Sequence, residues 1–336
     1  MIDDALLRVL AGRTGSPQAF ARAPTPLTGG FWAAIYGFEL QDPPAGLRGD
    51  LVLRVMPGPR APVAETIVQR AVADQGYPSP RVLLDGFDDA VGGRYMVMER
   101  ADGRPLLEDL GIGRALLGLP KTLRRIARQL SIASVQLHSL DPRPIADALS
   151  AAGIDIAALG VETRLAEVRR AAGASKAGFG GLLAWLDQRR PTMTPAVVCH
   201  GDIHPFNMLT TADESYSLLD WTNASICRRE YDVGFTAALL QCAPIDAPTF
   251  ARRPVAAVTG SLSRHFIDTY RRMSPINLDV VEWFEVLQYG RCLAAVTTLP
   301  VDDPTIGAQH PFRRSAQAMC RQVRIITGNN IELPQG

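Results

Sequence analysis

Apolar and polar positions alternate through much of the first hundred residues, and this pattern predicts a small antiparallel sheet. Strand-like runs cover 31–40 and 50–56, and the Pro- and Gly-rich segment between them predicts a hairpin turn. Two further strand-like runs, 81–84 and 94–99, are separated by a turn rich in Asp and Gly. Apolar residues recur at helical spacing across 62–75, so we predict one helix inserted into this sheet.

The segment before the sheet carries a different pattern. A short amphipathic helix is predicted over 3–11. Pro17, Pro24 and Pro26 then interrupt the chain, so we predict no regular element there.

After residue 101 the periodicity becomes helical. An apolar stripe recurs across 121–140, and two short strand-like runs, 196–199 and 216–219, interrupt the helices. The remaining helical runs are 161–171, 178–190, 232–242, 254–272, 278–298 and 312–326. The pattern predicts an α+β fold with an N-terminal lobe over 1–101 and a mainly helical C-terminal lobe over 102–336.

Composition narrows the class of protein. The 336 residues are 47% hydrophobic and 21% charged, which excludes disorder as a description of the whole chain. The 35 basic and 34 acidic residues nearly cancel, so there is no electrostatic case for a nucleic acid or an anionic membrane as a partner. No apolar run approaches the roughly 18 residues that a spanning helix needs. The N-terminus has acids where a signal peptide has a basic region, so we expect a cytoplasmic location.

The cysteines and histidines argue against two common metal or disulfide patterns. The five cysteines contain no C-x-x-C pair, so we expect small buried hydrophobic residues rather than a disulfide framework or a structural zinc site. The five histidines contain no H-E-x-x-H, the pattern of one class of zinc hydrolase.

One stretch concentrates candidate chemistry. The sequence His-Gly-Asp-Ile-His-Pro-Phe-Asn occupies 200–207, and the next strand-like run ends at Asp220. Asp202 and Asn207 lie five residues apart in a loop, so both side chains are able to face one cleft. Two carboxylates and an amide oxygen form a hard oxygen donor set, which suits Mg²⁺ better than zinc or copper. The spacing between Asp202 and Asn207 equals that of the kinase catalytic loop.

The stretch resembles the aminoglycoside phosphotransferase and choline kinase superfamily, whose pattern is H-G-D-x-H-x-x-N followed by a hydrophobic strand that ends in Asp. The resemblance implies a two-lobed protein-kinase-like fold and a nucleotide donor, ATP or GTP. It also implies that Asp202 is the catalytic carboxylate and that Asn207 and Asp220 hold magnesium on the nucleotide phosphates. By the same resemblance, Asp232 looks like the family residue that braces the catalytic loop. For His200 considered by itself, we favour a hydrogen-bonded histidine of the core over a functional role.

The predicted N-terminal lobe has the parts that such a fold needs. Gly29 and Gly30 fit a turn that covers phosphates, although a plain hairpin turn is an equal alternative. By resemblance, Glu65 on the predicted helix would orient a cation, against the alternative of an exposed helix carboxylate. The backbone of Glu99 and Ala101 would meet the purine edge.

The cation itself departs from the family pattern. Kinase-like enzymes usually place lysine on the third strand, but the chain has only two lysines, Lys121 and Lys176. Arg54 is the candidate at that position. Arginine binds phosphate through a planar fork, whereas lysine acts as a compact point charge. The replacement leaves open a nucleotide-binding regulatory module that has lost turnover.

The resemblance implies transfer of the ATP γ-phosphoryl group to a hydroxyl of a small molecule, either a sugar, an amino alcohol or an antibiotic. A kinase acting on protein is disfavoured because no Ala-Pro-Glu segment follows Asp220. After Trp221 there are ten acidic residues and twelve arginines, a poor surface for a polycationic aminoglycoside. We therefore expect a neutral acceptor or one with at most one or two positive charges, and keep aminoglycoside resistance as the alternative. The oligomeric state stays open.

One predicted helix is a local exception to the shortage of acidic residues after Trp221. Glu282 and Glu285 lie one turn apart near Trp283 and Tyr289, so they form either a site for one amine or a solvated face beside core aromatics.

Overall fold

The computed structural model describes residues 2–27, 33–57, 63–107, 112–174, 178–245, 248–298 and 310–333. The chain divides into two compact units. The first comprises Met1–Arg104 and Leu209–Thr222, and the second comprises Pro105–Met208 and Asn223–Gly336. The lobe boundary near residue 101 stays a prediction.

The first unit is built on a five-stranded antiparallel sheet with strand order β1-β2-β3-β5-β4. Its strands are β1 (Ala19–Pro26), β2 (Ala34–Gln41), β3 (Leu51–Pro57), β4 (Val82–Asp88) and β5 (Gly93–Glu99). Two helices accompany the sheet, α1 (Ile2–Thr14) and α2 (Val63–Asp74). A sheet-based N-terminal lobe and a helical C-terminal lobe confirm the predicted kinase-like α+β fold.

Strand alternation separates the two faces of the sheet. Leu53 on β3 and Val97 on β5 are fully buried in one cluster with Leu6 and Leu10 of α1. Their strand neighbours point the other way because successive side chains alternate between faces. Arg54 therefore lies on the face opposite α1, where its strand partner on β5 is Met96.

The first strand was not predicted. Ala19–Pro26 forms β1 at the edge of the sheet, although it contains Pro24 and ends at Pro26. An edge strand tolerates proline because one side of its backbone has no ladder partner. The pairing of β1 with β2 shifts register between Phe20 and Arg22 and again before Thr25, so the ladder is irregular there.

The second unit contains the remaining long helices and packs them around one core. They are α3 (Ile112–Leu137), α4 (Arg143–Ala151), α5 (Val161–Ala174), α6 (Phe179–Gln188), α7 (Arg229–Gln241), α8 (Arg252–Met273), α9 (Leu278–Thr298) and α10 (Pro311–Thr327). Helix α7 is buried along most of its length, and its Tyr231 and Phe235 pack against Phe284 of α9. A helix that is buried on nearly all sides is typical of the centre of a helical domain.

Two helices differ from the sequence prediction. Helix α3 starts before Pro120 rather than after it. Helix α4 was not predicted, because it is short and carries proline in its first turn, where proline is compatible with a helix start.

Short strands complete the structure. They are β6 (Arg104–Pro105), β7 (Val197–Cys199), β8 (Met208–Thr210), β9 (Tyr216–Leu218) and β10 (Ser225–Cys227). Strand β7 pairs antiparallel with β10 in the second unit.

No helix in the described ranges is long and apolar enough to cross a membrane. All five cysteines are free thiols, and only Cys320 is less than fully buried, which agrees with their predicted role as small core residues. Burial raises the pKa of the Cys227 and Cys242 thiols to about 12.

Candidate active site

The loop that carries the predicted catalytic residue leaves a fully buried strand. Strand β7 is buried at each of its three positions and leads directly into His200. Asp202 is half-buried, so its carboxylate is accessible while its backbone is anchored. A loop that begins from a buried strand places its first side chains reproducibly.

Asp232 of α7 holds the start of this loop. Its side chain is completely buried. The Oδ2 atom accepts a hydrogen bond from the His200 N–H at 2.8 Å, and Oδ1 accepts one from the Gly201 N–H at 2.6 Å. Charge-assisted bonds to two successive amides are strong and short. They fix the backbone immediately before Asp202.

Gly201 allows the close approach that this loop requires. Its φ of +76° lies in the left-handed region that favours glycine. A Cβ at this position would overlap the carbonyl oxygen of Asn223 and lie 3.0 Å from the hydroxyl of Tyr231. Any side chain here would displace the loop.

The structure brings Asp202 and Asn207 together. The Asn207 Nδ2 donates to the Asp202 backbone carbonyl at 3.1 Å and lies 3.4 Å from its Oδ2. The amide oxygen of Asn207 is thus the end of the side chain that is able to meet a cation. His204 adds a ring nitrogen 3.6 Å from Asp202 Oδ1 and accepts the N–H of Phe206.

A buried network behind Asp232 was missed by sequence reasoning. His138 near the end of α3 places Nε2 3.0 Å from Asp232 Oδ2 and Nδ1 2.7 Å from the hydroxyl of Tyr270. The consistent proton arrangement has Tyr270 donating to Nδ1 and the Nε2–H donating to the carboxylate. His200 is fully buried, as predicted, and its Nδ1 accepts the N–H of Asp202 at 3.2 Å.

In the first unit, three predicted site residues form one network. Arg54 makes an ion pair with Glu65, whose side chain is completely buried. The Nη2 of Arg54 also lies 3.1 Å from Asp220 Oδ1. Glu65 is therefore not the exposed helix carboxylate of the alternative interpretation.

The segment around Asp220 is anchored on both sides. Asp220 has a φ of 65°, a region that Asp enters more readily than most residues because its short side chain bonds locally. The Thr222 hydroxyl donates to its Oδ1 at 2.6 Å. Trp221 is fully buried, donates its indole N–H to Ser79 at 2.9 Å and packs edge-to-face on Tyr77. Thr222 was not singled out in the sequence, although its position two residues after an Asp is a recurrent local bonding pattern.

The predicted purine-edge residues lie at the end of β5. The N–H of Glu99 donates to the Arg81 carbonyl at 3.1 Å, and the N–H of Arg100 donates to the Asp50 carbonyl at 3.0 Å. These bonds anchor the start of the predicted hinge at Ala101. Gly29 and Gly30 lie outside the described residues.

One alternative for Glu282 and Glu285 on α9 was a site for an amine beside an aromatic ring, but the neighbouring rings are not accessible. Trp283 and Tyr289 are buried, and the Trp283 indole donates to the Leu186 carbonyl at 2.8 Å. Glu282 is exposed, which agrees with a solvated face beside core aromatics, but Glu285 is only partly exposed, and its burial raises its pKa to about 8.

Comparisons with solved structures support the fold. A protein from Ralstonia eutropha JMP134 assigned to the aminoglycoside phosphotransferases aligns with a TM-score of 0.64 and 16% identity, over 97% of this chain and 98% of its own. A thermostable mutant of the aminoglycoside phosphotransferase APH(4)-Ia, in a ternary complex with ADP and hygromycin B, aligns with a TM-score of 0.58 and 18% identity, over 96% and 98%. An aminoglycoside-3'-phosphotransferase of type VIII aligns with a TM-score of 0.54 and 20% identity, over 85% and 98%. At these identities the similarity shows the fold.

No curated protein sequence matches the chain. The sequence model of the phosphotransferase enzyme family (APH) matches residues 37–276, which contain the Arg54 network and the whole loop at 200–207. The chain therefore belongs to the phosphotransferase enzyme family.

Proposed function

We propose that the protein transfers the γ-phosphoryl group of ATP to a hydroxyl of a small molecule in a magnesium-dependent reaction. The observation that carries the proposal is the catalytic loop, in which Asp202 and Asn207 are hydrogen-bonded and the preceding amides are bound by buried Asp232. Catalysis of phosphoryl transfer rests mainly on positioning and charge neutralisation, so a rigid loop with one accessible carboxylate is the required feature.

In the proposed reaction, the hydroxyl of the acceptor lies against the Asp202 carboxylate and gives its proton to it. The acceptor oxygen forms a bond to the γ-phosphorus while the bond to the bridging oxygen of ADP breaks. The proton then leaves Asp202 for solvent as the product departs. General-base assistance of this kind contributes about 10²–10⁴-fold.

The donor side rests on the first unit. Arg54, oriented by Glu65, supplies the positive charge for the phosphates. A purine contact from Glu99 would use its carbonyl, because its N–H is bonded to Arg81. The amide oxygen of Asn207 and the carboxylate of Asp220 are the donors that would hold Mg²⁺, and both are hard oxygen ligands. Magnesium when bound neutralises charge on the transferred phosphoryl group. Solved relatives of the same fold contain ADP or AMP-PNP, which supports a nucleotide donor.

The test is magnesium-dependent ADP release by the full chain with panels of sugars, amino alcohols and antibiotics. We expect turnover with a small hydroxyl acceptor and a loss of at least about a hundredfold in Asp202→Asn, which keeps the shape but removes the proton acceptor. Asp147→Asn, an exposed carboxylate of α4, is the matched control. Turnover by Asp202→Asn at the wild-type rate would contradict the mechanism.

The ADP-release screen, together with resistance measured on expression, separates the proposed function from two alternatives. Solved relatives were crystallised with hygromycin B or spectinomycin, which favours an antibiotic kinase as the second candidate. That candidate requires a large rise in the resistance of a sensitive host to kanamycin-type drugs, hygromycin B or spectinomycin on expression, abolished by Asp202→Asn. A regulatory nucleotide-binding module requires nucleotide binding with no turnover of any acceptor.

A further inference from the structure

Phe206 is an exposed aromatic side chain within the loop that carries Asp202. It is 63% exposed, whereas Pro205 before it and Met208 after it are buried. Removal of a phenyl ring from water is favourable, so the free protein gains none of that stabilisation for most of this ring. Single exposed aromatic residues are common on protein surfaces, so the surroundings of the ring decide whether it has a role.

Hydrogen bonds fix the backbone on both sides of Phe206. Its own N–H donates to His204 Nδ1 at 3.3 Å, and the N–H of Asn207 donates to the His204 carbonyl at 3.0 Å. The Asn207 side chain in turn donates to the Asp202 carbonyl at 3.1 Å. Phe206 therefore lies on a turn that is tied to the proposed catalytic residue.

The phenyl ring and the Asp202 carboxylate contact the same imidazole ring. Phe206 packs edge-to-face on His204, with ring centroids 6.1 Å apart and an interplanar angle of 70°. The Nε2 atom of His204 lies 3.6 Å from Asp202 Oδ1. The side chains of Asp202 and His204 are 26% and 23% exposed, so all three side chains reach the surface. A molecule that spans one imidazole ring is thus able to meet both the carboxylate and the phenyl ring.

The family pattern leaves the identity of residue 206 open. In H-G-D-x-H-x-x-N, the three unspecified positions are occupied here by Ile203, Pro205 and Phe206. Ile203 and Pro205 are buried, so they contribute to the packing of the loop. Phe206 is the exposed member of the three. An accessible loop position that the transfer chemistry does not fix is a suitable place for substrate selectivity.

We propose that Phe206 is a specificity-determining residue that holds an apolar face of the acceptor, either the C–H face of a sugar ring or an aromatic ring, while the acceptor hydroxyl lies at Asp202. This role rests on the proposed function and narrows its substrate class. An aromatic side chain binds both kinds of face through dispersion contact and stacking. Ligand sites commonly combine such rings with a few polar groups. An acyclic polyol offers the hydroxyl without the face, so we expect it to bind poorly.

The test compares hydroxyl compounds that differ in the apolar face. 2-Phenylethanol is paired with ethanol for the aromatic ring, and methyl β-D-glucoside is paired with D-glucitol for the sugar ring. Each compound is titrated into the full chain saturated with Mg·ADP, and binding is followed by saturation-transfer NMR. In at least one pair, we expect the compound with the apolar face to bind at least about fivefold more tightly than its partner.

Variants assign this preference to the ring. Phe206→Ala should abolish it, and Phe206→Tyr should retain it because the aromatic ring remains. Phe250→Ala is the matched control, since Phe250 is 85% exposed and lies outside the loop. Thermal unfolding and Mg·ADP binding check that each variant is folded.

Kinetics separate contact with the acceptor from support of the loop. For any acceptor that turns over in the ADP-release screen, Phe206→Ala should raise the KM for the acceptor at least about fivefold with little change in the KM for ATP. A fall in kcat with an unchanged KM for the acceptor would instead show that Phe206 acts on the loop, and would contradict the proposal.

Three binding results would overturn the role of Phe206: equal binding within both pairs, no binding by any of the four compounds, or a preference that survives in Phe206→Ala. A fourth is a Phe206-dependent preference for choline over ethanol alone, which would show that the ring binds a cation rather than an apolar face. Failure of the proposed function has a different signature. The Phe206-dependent binding preference would then persist, while no hydroxyl compound gives ADP release that depends on Asp202.

Discussion

Arg54 reaches Asp220 across 166 residues of sequence, with its Nη2 3.1 Å from Oδ1. The same guanidinium pairs with buried Glu65 and donates to the Thr222 hydroxyl at 3.2 Å. One arginine therefore pairs with two carboxylates, and these protein groups alone set its orientation. On the proposed function, this orientation is what would let Arg54 take the place of the lysine that kinase-like enzymes usually have.

Arg54→Ala should destabilise the protein strongly, because it leaves the carboxylate of Glu65 buried without its partner. The expected cost is about 3–5 kcal/mol in the free energy of unfolding, measured by chemical denaturation. Arg54→Ala/Glu65→Gln should recover part of this loss. The control is Arg22→Ala, which breaks an exposed pair with Asp50 and should cost about 0–1 kcal/mol. Equal costs for Arg22→Ala and Arg54→Ala would contradict the assignment.

Asp220→Ala should weaken binding of Mg·ATP by at least about tenfold more than it weakens binding of metal-free adenosine. The reason is that a metal ligand contributes only when the metal is present. Nucleotide titrations with and without magnesium measure the difference. Thr222→Val is the control, because it perturbs the hydrogen bonds of Asp220 and Arg54 but keeps the carboxylate. Equal losses in both titrations would show that Asp220 acts structurally.

Asp232→Asn should impair transfer while nucleotide binding persists. An amide has one acceptor oxygen, so its NH₂ group would face one of the two backbone N–H groups that the carboxylate now binds. A buried unsatisfied donor costs about 1–3 kcal/mol, which we expect to see as a lower thermal stability and a displaced loop. Steady-state kinetics should show a fall in kcat with little change in KM for ATP. Wild-type kcat would show that the loop does not depend on these two bonds.

Glu285 should make stability fall as pH rises. Burial, followed by the charge of Glu282, raises the pKa of Glu285 from 4.5 to about 8. The folded state therefore keeps a proton that the unfolded state has released, so the stabilising contribution is complete below about pH 4.5 and is lost as pH rises toward 8. The free energy of unfolding, measured by denaturation across this pH range, should depend less on pH in Glu285→Gln than in the wild type. Asp147→Asn should keep the wild-type dependence. A wild-type slope in Glu285→Gln would contradict the assignment.

The predictable part of the site is local in sequence. Asp202 and Asn207 lie in one loop, and the spacing alone indicated that they share a cleft. Their hydrogen bond in the structure agrees with that spacing. Alternation along β3 likewise sets which face Arg54 occupies, because strand side chains alternate with a period of two. Edge strand β1 was missed because proline signals irregular chain unless the strand's neighbours are known.

The sequence by itself determined a sheet-forming N-terminal part, a helical remainder and the loop that carries the candidate chemistry, since these follow from short-range periodicity and spacing. The kinase-like fold was implied by the resemblance of that loop to a known superfamily. Only the tertiary structure decided the long-range pairs. His138 reaches Asp232 across 94 residues, and Arg291 reaches Glu167 across 124. Such pairs depend on how helices pack, and packing is set by the combined fit of many side chains rather than by any local pattern. The residues that hold the loop therefore became visible only in the fold.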